Sequence, residues 1–263
     1  MTHALGFGAQ SVVYLGRLLR CGTLVAVKDC TCLGAEQVDI STLWLFLREL
    51  EIWPQVQHKS ILKFLGFSIT RSGLKIYSEY CRGGTLFDLL HNRWDVQLKW
   101  WQRRKILLDV ASAVEYMHNF RTPIMHRDLK SLNVLLLEAI GDEHTVPQAK
   151  LADFGFARVR AGEDDWSENL TQGAGTPHWM APEVSLGTRY HTKVDVFSFS
   201  IIIYEVVCRL MSFEDLDPES ARQQILSGAR PSLDDVPEDA PKALIDLMVR
   251  CWDQDPAARP SIR

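Results

Sequence analysis

One short polar segment carries the most reactive set of side chains in the chain. It extends from His126 to Asn133 and follows a predicted helix. The carboxylate of Asp128 can accept a hydroxyl proton, and the ammonium of Lys130 can offset charge on a transferred phosphoryl group. Asn133 offers a side-chain oxygen of the kind that a hard cation such as Mg²⁺ binds. A capped polar turn would explain one of these residues but not all of them.

A second acidic motif, Asp153-Phe154-Gly155, lies twenty residues after Asn133. It follows a predicted strand and opens a long polar loop. Asp153 is therefore a second candidate metal ligand. Gly155, which has unusual backbone freedom, is a candidate pivot for that loop.

The start of the chain holds a possible phosphate-binding pair of elements. Gly6 and Gly8 are two residues apart, a spacing that lets backbone N–H groups approach a phosphate closely. A glycine-rich hairpin without a ligand fits this pattern equally well. Lys28 ends an apolar run, where a lysine is usually a solvated head on a buried stem. It can instead neutralise phosphate charge if a carboxylate on a facing helix holds it, and both Glu49 and Glu51 lie on a predicted helix.

The elements that must position these residues are strands in the first part and helices in the rest. Short β-branched runs separated by turn signals predict strands over Ser11–Leu15, Thr23–Lys28, Ile61–Phe67 and Leu74–Tyr80. Apolar periodicity predicts helices over Ser41–Trp53, Trp101–Phe120, Val194–Val207 and Pro241–Trp252. The first helix carries Leu43, Leu47 and Leu50 at helical spacing, and the second carries Ile106, Val110, Ala113 and Met117. This α+β arrangement has a natural cleft between its two parts.

Composition excludes several other classes of protein. The chain has 263 residues, 46% hydrophobic and 24% charged, which is ordinary for a globular protein and excludes disordered and collagen-like chains. A formal net charge of -4 argues against a general nucleic-acid binder. The six cysteines lack metal-ligand spacing, and no signal peptide or membrane-spanning run is evident. Reduced thiols and the missing targeting signals predict a cytoplasmic location.

Taken together, the motifs resemble those of a eukaryotic protein kinase catalytic domain, and the resemblance covers essentially all 263 positions. In chain order they are Gly6-x-Gly8-x-x-Ser11-x-Val13, Val25-Ala26-Val27-Lys28, His126-Arg127-Asp128, Asp153-Phe154-Gly155 and Ala181-Pro182-Glu183. Lys130 and Thr176 are similar to the serine/threonine type. Three further segments resemble the tyrosine-kinase-like group, which includes the Raf and mixed-lineage kinases: 175–183, 195–199 and 251–260.

The resemblance implies a bilobal fold with a small β-rich N-lobe (residues 1–80) and a larger, mainly helical C-lobe (residues 81–263) whose last helix is cut short. It implies transfer of the γ-phosphoryl group of ATP to Ser or Thr hydroxyls of proteins, with Mg²⁺, in intracellular signalling. The nucleotide would contact Gly6, Gly8, Val13, Ala26, Lys28, Ser78, Glu79, Cys81 and Leu135. The reaction would use Asp128 as catalytic base, Lys130, Lys28 paired with Glu49 (Glu51 being the fallback), and Asn133 and Asp153 as Mg²⁺ ligands. Asp195 would brace the catalytic loop, and Glu183 would pair with Arg259.

Some residues depart from the family pattern. Ser11 stands where a third glycine is usual, which predicts a stiffer loop and weaker ATP binding. Trp53 stands where a smaller residue usually stacks above Phe154, and the 138–148 insert lengthens a hairpin on the surface.

Two other functions stay open at this point. A pseudokinase, which would be a scaffolding module on the same fold, is the main alternative, although Lys28, Asp128, Asn133 and Asp153 are all present. A tyrosine-specific or small-molecule kinase fits less well with Lys130. The expected partners are a protein substrate and an upstream kinase, or autophosphorylation of the 156–175 loop. A phosphate there would pair with Arg127, and the candidate acceptors are Ser167, Thr171 and Thr176.

Overall fold

A computed structural model of the chain describes residues 3–7, 11–31, 40–70, 73–159 and 176–262. Within these ranges the first part is an antiparallel sheet of five strands in the order β1-β2-β3-β5-β4. The strands are β1 (His3–Phe7), β2 (Val12–Arg17), β3 (Leu24–Asp29), β4 (Phe64–Thr70) and β5 (Gly73–Glu79). The turn predicted between β2 and β3 is confirmed, because Gly22 has a φ of 72°, a conformation that glycine adopts without a Cβ clash.

The strand predicted over Ile61–Phe67 is displaced in the structure by three residues, because β4 begins at Phe64. Ile61 forms an isolated parallel bridge with Leu151, and the Leu62 amide donates to the Leu151 carbonyl at 2.9 Å. The first residues of the apolar run therefore join the C-lobe instead of the five-stranded sheet.

In the described ranges, one helix, α1 (Ile40–Ile52), packs on this sheet and is followed by a 3₁₀ turn at Trp53–Gln55. Its buried face carries Phe46 and Glu49, whereas Leu43 and Leu47 are exposed. The leucine periodicity thus locates the helix, and of its three leucines only Leu50 packs against the core.

The second part of the chain is mainly helical. Its helices are α2 (Trp100–His118), α3 (Pro182–Ser185), α4 (Lys193–Cys208), α5 (Pro218–Leu226) and α6 (Lys242–Cys251). The predicted stripe on α2 is confirmed, since all four of its residues are buried, and α4 is buried along almost its whole length. A strongly buried central helix makes a rigid base for the loops packed against it.

Two short antiparallel pairs lie beside these helices and complete a bilobal α+β fold. They pair β6 (Ile124–Met125) with β9 (Arg158–Val159) and β7 (Val134–Leu136) with β8 (Ala149–Leu151). The insert between β7 and β8 is largely exposed, as predicted, and Gln102 anchors it by donating to the carbonyls of Asp142 and Thr145. Among the described helices, none combines the length and apolar character needed to cross a membrane.

Candidate active site

Lys28 contacts one acidic residue from each lobe. It lies on β3, and its ammonium is 2.8 Å from Glu49 Oε2 on α1 and 3.3 Å from Asp153 Oδ1, just after β8. Of the two glutamates that the sequence offers on α1, Glu49 is the one that contacts Lys28. Burial lowers the pKa of Lys28, but the charges of Asp153 and Glu49 outweigh burial and raise that pKa above its ordinary value. The lysine is therefore a fixed cation at neutral pH.

Asp153 occupies an unusual backbone conformation. Its φ is 65°, in the left-handed region that residues with a side chain rarely adopt. Burial raises the pKa of its carboxyl, but the Lys28 ammonium and His126 bring that pKa below the ordinary value. Phe154, the next residue, is fully buried and stacks on Trp53 with ring centroids 5.8 Å apart. The aromatic contact predicted for Trp53 is thus present.

The second cluster forms around Asp128. The Lys130 ammonium lies 2.7 Å from Asp128 Oδ2 and donates to the Thr176 hydroxyl at 2.7 Å. That hydroxyl donates in turn to Asp128 Oδ1 at 3.3 Å. Asn133 donates from Nδ2 to both the backbone carbonyl and the carboxylate of Asp128, at 2.8 and 3.0 Å. Asp128 thus has a hydroxyl, a cation and an amide around one carboxylate, an arrangement that can orient a second hydroxyl and take its proton.

Asp195, at the start of α4, holds the backbone that leads into this cluster. Its two oxygens accept from the amides of His126 and Arg127, both at 2.9 Å, and from His118 Nε2 at 2.8 Å. Burial raises the pKa of Asp195, but the hydrogen bond and charge of His118, together with the Arg127 amide, bring that pKa below its ordinary value. A carboxylate that accepts several hydrogen bonds is stabilised in its charged form. In the same lobe, Arg259 donates to both oxygens of Glu183 at 2.7 and 2.9 Å.

The donor set between the two clusters fits a hard divalent cation. Asn133 uses its Nδ2 on Asp128, which directs its side-chain oxygen away from that contact. The Asp153 side chain is 36% exposed, so its carboxylate can also accept an outside ligand. One amide oxygen and one carboxylate are suitable Mg²⁺ ligands when phosphate oxygens and water complete the shell. Within the described ranges, no group of three or more His, Cys, Asp or Glu side chains forms a metal cage.

The sheet residues assigned to the nucleotide share one face. Val13 pairs with Lys28 across β2 and β3, and Ala26 pairs with Ser78 across β3 and β5. Residues directly opposite each other in an antiparallel pair project to the same side. Leu135 lies on β7 in the other lobe and is partly buried.

Two glycines were also assigned to the nucleotide. Gly6 lies at an irregularity in β1, where a Cβ would meet no atom within 4 Å. Gly8 lies outside the described residues, as do Ser167 and Thr171.

The connection between the lobes contains Glu79 and Cys81. The Glu79 carboxylate accepts from the Lys63 amide at 2.7 Å and lies 2.9 Å from Lys150 Nζ, so its side chain is already bound. In the described part of the chain, the Cys81 amide has no backbone hydrogen-bond partner, whereas the next residue, Arg82, donates to the Leu137 carbonyl. An amide of this kind can donate to a ligand. Burial raises the pKa of the Cys81 thiol to about 12, so this side chain stays neutral.

Sequence reasoning missed several residues that the structure brings to the site. Arg48 on α1 lies near Arg127 and near Arg158 on β9. Burial, which is the largest cause, and the charges of these two arginines together lower the pKa of Arg48 to about 10. Glu205 on α4 is completely buried and bound to the loop that carries Asp128. The one available signal for Glu205 was an acidic residue within the apolar second half of a helix.

The fold and these two clusters define the class of the protein. A family model described as the protein kinase domain matches residues 1–263. The chain therefore belongs to the protein kinase family.

Similar proteins agree with this membership. Serine/threonine-protein kinase STY17 of Arabidopsis thaliana is 35% identical over 250 residues, which is 94% of this chain and 40% of that protein. Serine/threonine-protein kinase TNNI3K of Homo sapiens is 35% identical over 262 residues, which is 97% of this chain and 29% of that protein. These relatives are consistent with the resemblance to the tyrosine-kinase-like group. The chain spans less than half the length of the curated relatives it matches.

Proposed function

We propose that this chain transfers the γ-phosphoryl group of ATP to Ser and Thr hydroxyls of proteins. The observation that carries the proposal is the contact of Asp128 with Lys130 and Thr176, together with the Lys28–Glu49–Asp153 cluster. Both clusters hold the charge types that phosphoryl transfer needs, and the names of the relatives support the serine/threonine class.

In this mechanism the Asp128 carboxylate orients the substrate hydroxyl and takes its proton. The hydroxyl oxygen attacks the γ-phosphorus, and the bond from phosphorus to the bridging oxygen of ADP breaks. Lys130 offsets charge on the phosphoryl group in flight, and Lys28, held by Glu49, offsets charge on the phosphates of ADP. When bound by Asn133 and Asp153, Mg²⁺ would neutralise charge on the phosphates. Turnover of about 1–100 s⁻¹ is usual for this chemistry.

The nucleotide would lie under β1 and β2, with its base next to Ala26, Leu135 and the Cys81 amide. Ser78 would border the base at the back. In this proposal the lobes divide between residues 80 and 81. The cytoplasmic location expected from the sequence remains a prediction.

We propose further that a phosphate on the loop before Thr176 binds the arginines near the site. Arg127 is 6% exposed, and it donates from Nε to the Phe156 carbonyl and from Nη1 to the Tyr190 hydroxyl. Its Nη2 is buried without a hydrogen-bond partner in the described residues. The Nη2 of Arg48 is also buried without a hydrogen-bond partner in the described residues. Unpaired buried donors are costly, and a dianionic phosphate would satisfy both.

The regulatory proposal is tested by phosphatase treatment of the purified wild type and of Arg48→Met. Treatment should lower kcat of the wild type, because the phosphate that pairs the arginines is removed. It should change kcat of the variant much less. Equal effects on both proteins would contradict a role for Arg48 in phosphate binding.

The catalytic proposal is tested with radiolabelled ATP, a generic protein substrate and phosphoamino-acid analysis. The wild type should yield phosphoserine and phosphothreonine. Asp128→Asn should lose this activity by a factor of about 10³ or more, because the proton acceptor is gone, while Mg-ATP binding persists. Asp246→Asn, on the exposed side of α6, is the matched control and should retain full activity.

A wild type without transfer would favour the pseudokinase alternative. An active Asp128→Asn protein would refute the role of Asp128 as proton acceptor and leave the proposed kinase function standing.

A further inference from the structure

A cavity of about 500 Å³ lies beside the connection between the lobes. Its lining comes from the turn between β2 and β3, from the segment that joins the lobes, and from the residue that ends the connection out of β7. The lining residues are Arg17, Gly22, Thr23, Leu24, Tyr80, Arg82 and Glu138. A volume of this size is typical of sites that bind small molecules or headgroups.

The cavity is separate from the proposed nucleotide site. Arg17 pairs with Leu24 at one end of the β2–β3 ladder, whereas Val13 pairs with Lys28 four residues along the same ladder. At about 3.3 Å per residue, these two pairs are about 13 Å apart. None of the residues assigned above to ATP or Mg²⁺ lines the cavity. A ligand in the cavity would therefore bind in addition to ATP.

The charged groups of the lining favour an anion. Arg17 and Arg82 each carry a positive charge and Glu138 carries a negative one, which leaves a formal charge of +1. The Nη1 of Arg82 lies 4.0 Å from Oε1 of Glu138, beyond hydrogen-bond distance, and both side chains are at least 60% exposed. An ion pair of this kind contributes little to stability, so a ligand can replace it at low cost. Guanidinium groups bind phosphate oxygens through paired N–H donors.

Two further groups of the lining favour a ligand with hydroxyls beside its phosphate. The Tyr80 hydroxyl can donate to a phosphate oxygen, and the Glu138 carboxylate can accept from a hydroxyl of the ligand. A phosphate monoester on a polyol ring, such as a phosphorylated inositol, offers both kinds of partner. A bare phosphate ion would use the two arginines and leave the acceptor of Glu138 unused.

The turn next to the cavity presents apolar side chains to solvent. Leu19 is 100% exposed and Leu18 is 37% exposed, and they lie between Arg17 and the exposed Arg20. The Nη1 of Arg17 donates to the Gly22 carbonyl at 2.9 Å, which closes the turn. Leucines between two arginines suit a membrane surface, because the apolar tip can enter the acyl boundary while the cations meet the headgroups.

We infer that this chain binds a lipid with a phosphorylated inositol headgroup, with the headgroup in the cavity and Leu18 and Leu19 in the membrane interface. The cavity and the exposed turn are independent observations that lead to the same surface. A single weak contact gives only marginal membrane binding, so the two contacts must act together. The formal net charge of -4 opposes adsorption of the whole chain to an anionic membrane, so binding would come from this local site.

The test is sedimentation of the purified chain with vesicles of phosphatidylcholine. One set of vesicles contains phosphatidylinositol monophosphate, and the other contains phosphatidylserine at the same surface charge. The chain should bind the first set about tenfold more tightly or better, because phosphatidylserine lacks the phosphate monoester and the ring hydroxyls. Soluble inositol bisphosphate is the third arm, and it should bind more weakly than the vesicles because it lacks the apolar contact.

Two variants separate the headgroup contact from the apolar contact. Arg82→Gln removes one cation and should weaken binding to the inositol-lipid vesicles about fivefold. Leu19→Ser removes the apolar tip and should weaken that binding about tenfold. The matched controls are Arg104→Gln and Leu186→Ser, at exposed positions of the C-lobe, and both should bind as the wild type does. An unchanged Tm shows that each variant is folded.

Equal binding to the phosphatidylserine vesicles would overturn the inference, because general electrostatic attraction would then explain it. Wild-type affinity in both Arg82→Gln and Leu19→Ser, or an equal loss in the two controls, would overturn it as well. Binding of soluble inositol bisphosphate without binding to vesicles would overturn the membrane contact. The inference does not depend on the proposed kinase function, since a chain that binds these vesicles but transfers no phosphate would contradict that function alone.

Discussion

Replacing Trp53 tests how strongly the N-lobe helix is fastened to the site. Trp53 directly follows α1 and is 3% exposed. Its ring stacks on Phe154 at 5.8 Å and meets the edge of Phe64 at 5.6 Å, and its indole N–H donates to the Leu62 carbonyl at 2.7 Å. The side chain therefore joins the end of α1 to the strand region and to the Asp153-Phe154-Gly155 segment.

The structure separates the two contributions of this side chain. Trp53→Phe keeps an aromatic ring but leaves the buried Leu62 carbonyl without its donor, which costs about 1–3 kcal/mol. Trp53→Ala also removes the ring contacts and opens a cavity, and such changes in cores cost about 3–5 kcal/mol. We expect the alanine variant to lose about tenfold in kcat as well, because α1 carries the Glu49 that holds Lys28.

Urea unfolding and peptide phosphorylation measure these effects on the same samples. Trp101→Ala is the matched control, since Trp101 is 43% exposed on α2, and it should change the free energy of unfolding by no more than about 0.5 kcal/mol. If Trp53→Ala cost less than about 1 kcal/mol, or if the phenylalanine and alanine variants were equally destabilised, the ring contacts would not fasten α1 as argued.

Two further predictions concern thiols and a buried ion pair. Iodoacetamide at pH 8 should modify Cys21 well before Cys81, because Cys21 is exposed and hydrogen bonding to Thr23 lowers its pKa, whereas burial raises the pKa of the Cys81 thiol to about 12. Mass spectrometry of timed samples checks this order. Equal modification rates of the two thiols in the native protein would contradict it. Arg259→Met should lower the free energy of unfolding by about 3–5 kcal/mol in urea, because it leaves the Glu183 carboxylate buried without its partner. A loss below about 1 kcal/mol would refute that account.

The sequence allows prediction of the elements and of the polar residues, but not of the contacts that cross long stretches of chain. Lys28 ends a clear strand pattern, and α2 has a single apolar stripe, so both are locally readable. The start of β4 is not, because Ile61 is drawn to Leu151 by a pairing between residues ninety positions apart. The contact of Glu205 is equally hidden, because its partner Ser131 lies 74 residues away and neither local segment indicates that the two side chains meet.

Two backbone conformations around the site also could not be predicted from the sequence. Arg127 and Asp153 have φ values of 66° and 65°, although neither is a glycine, and each such conformation costs about 1–3 kcal/mol. The residues next to these two positions do not predict either conformation. Arg127 is held there by a carboxylate 68 residues downstream, Asp195, and Asp153 is held by the ammonium of Lys28, 125 residues upstream. The side chains that carry the chemistry are thus visible in short motifs. The backbone conformations that direct them depend on buried charges elsewhere in the fold. A variant that keeps the motifs of Lys28, Asp128 and Asp153 but loses Asp195 would keep these groups and lose their orientation.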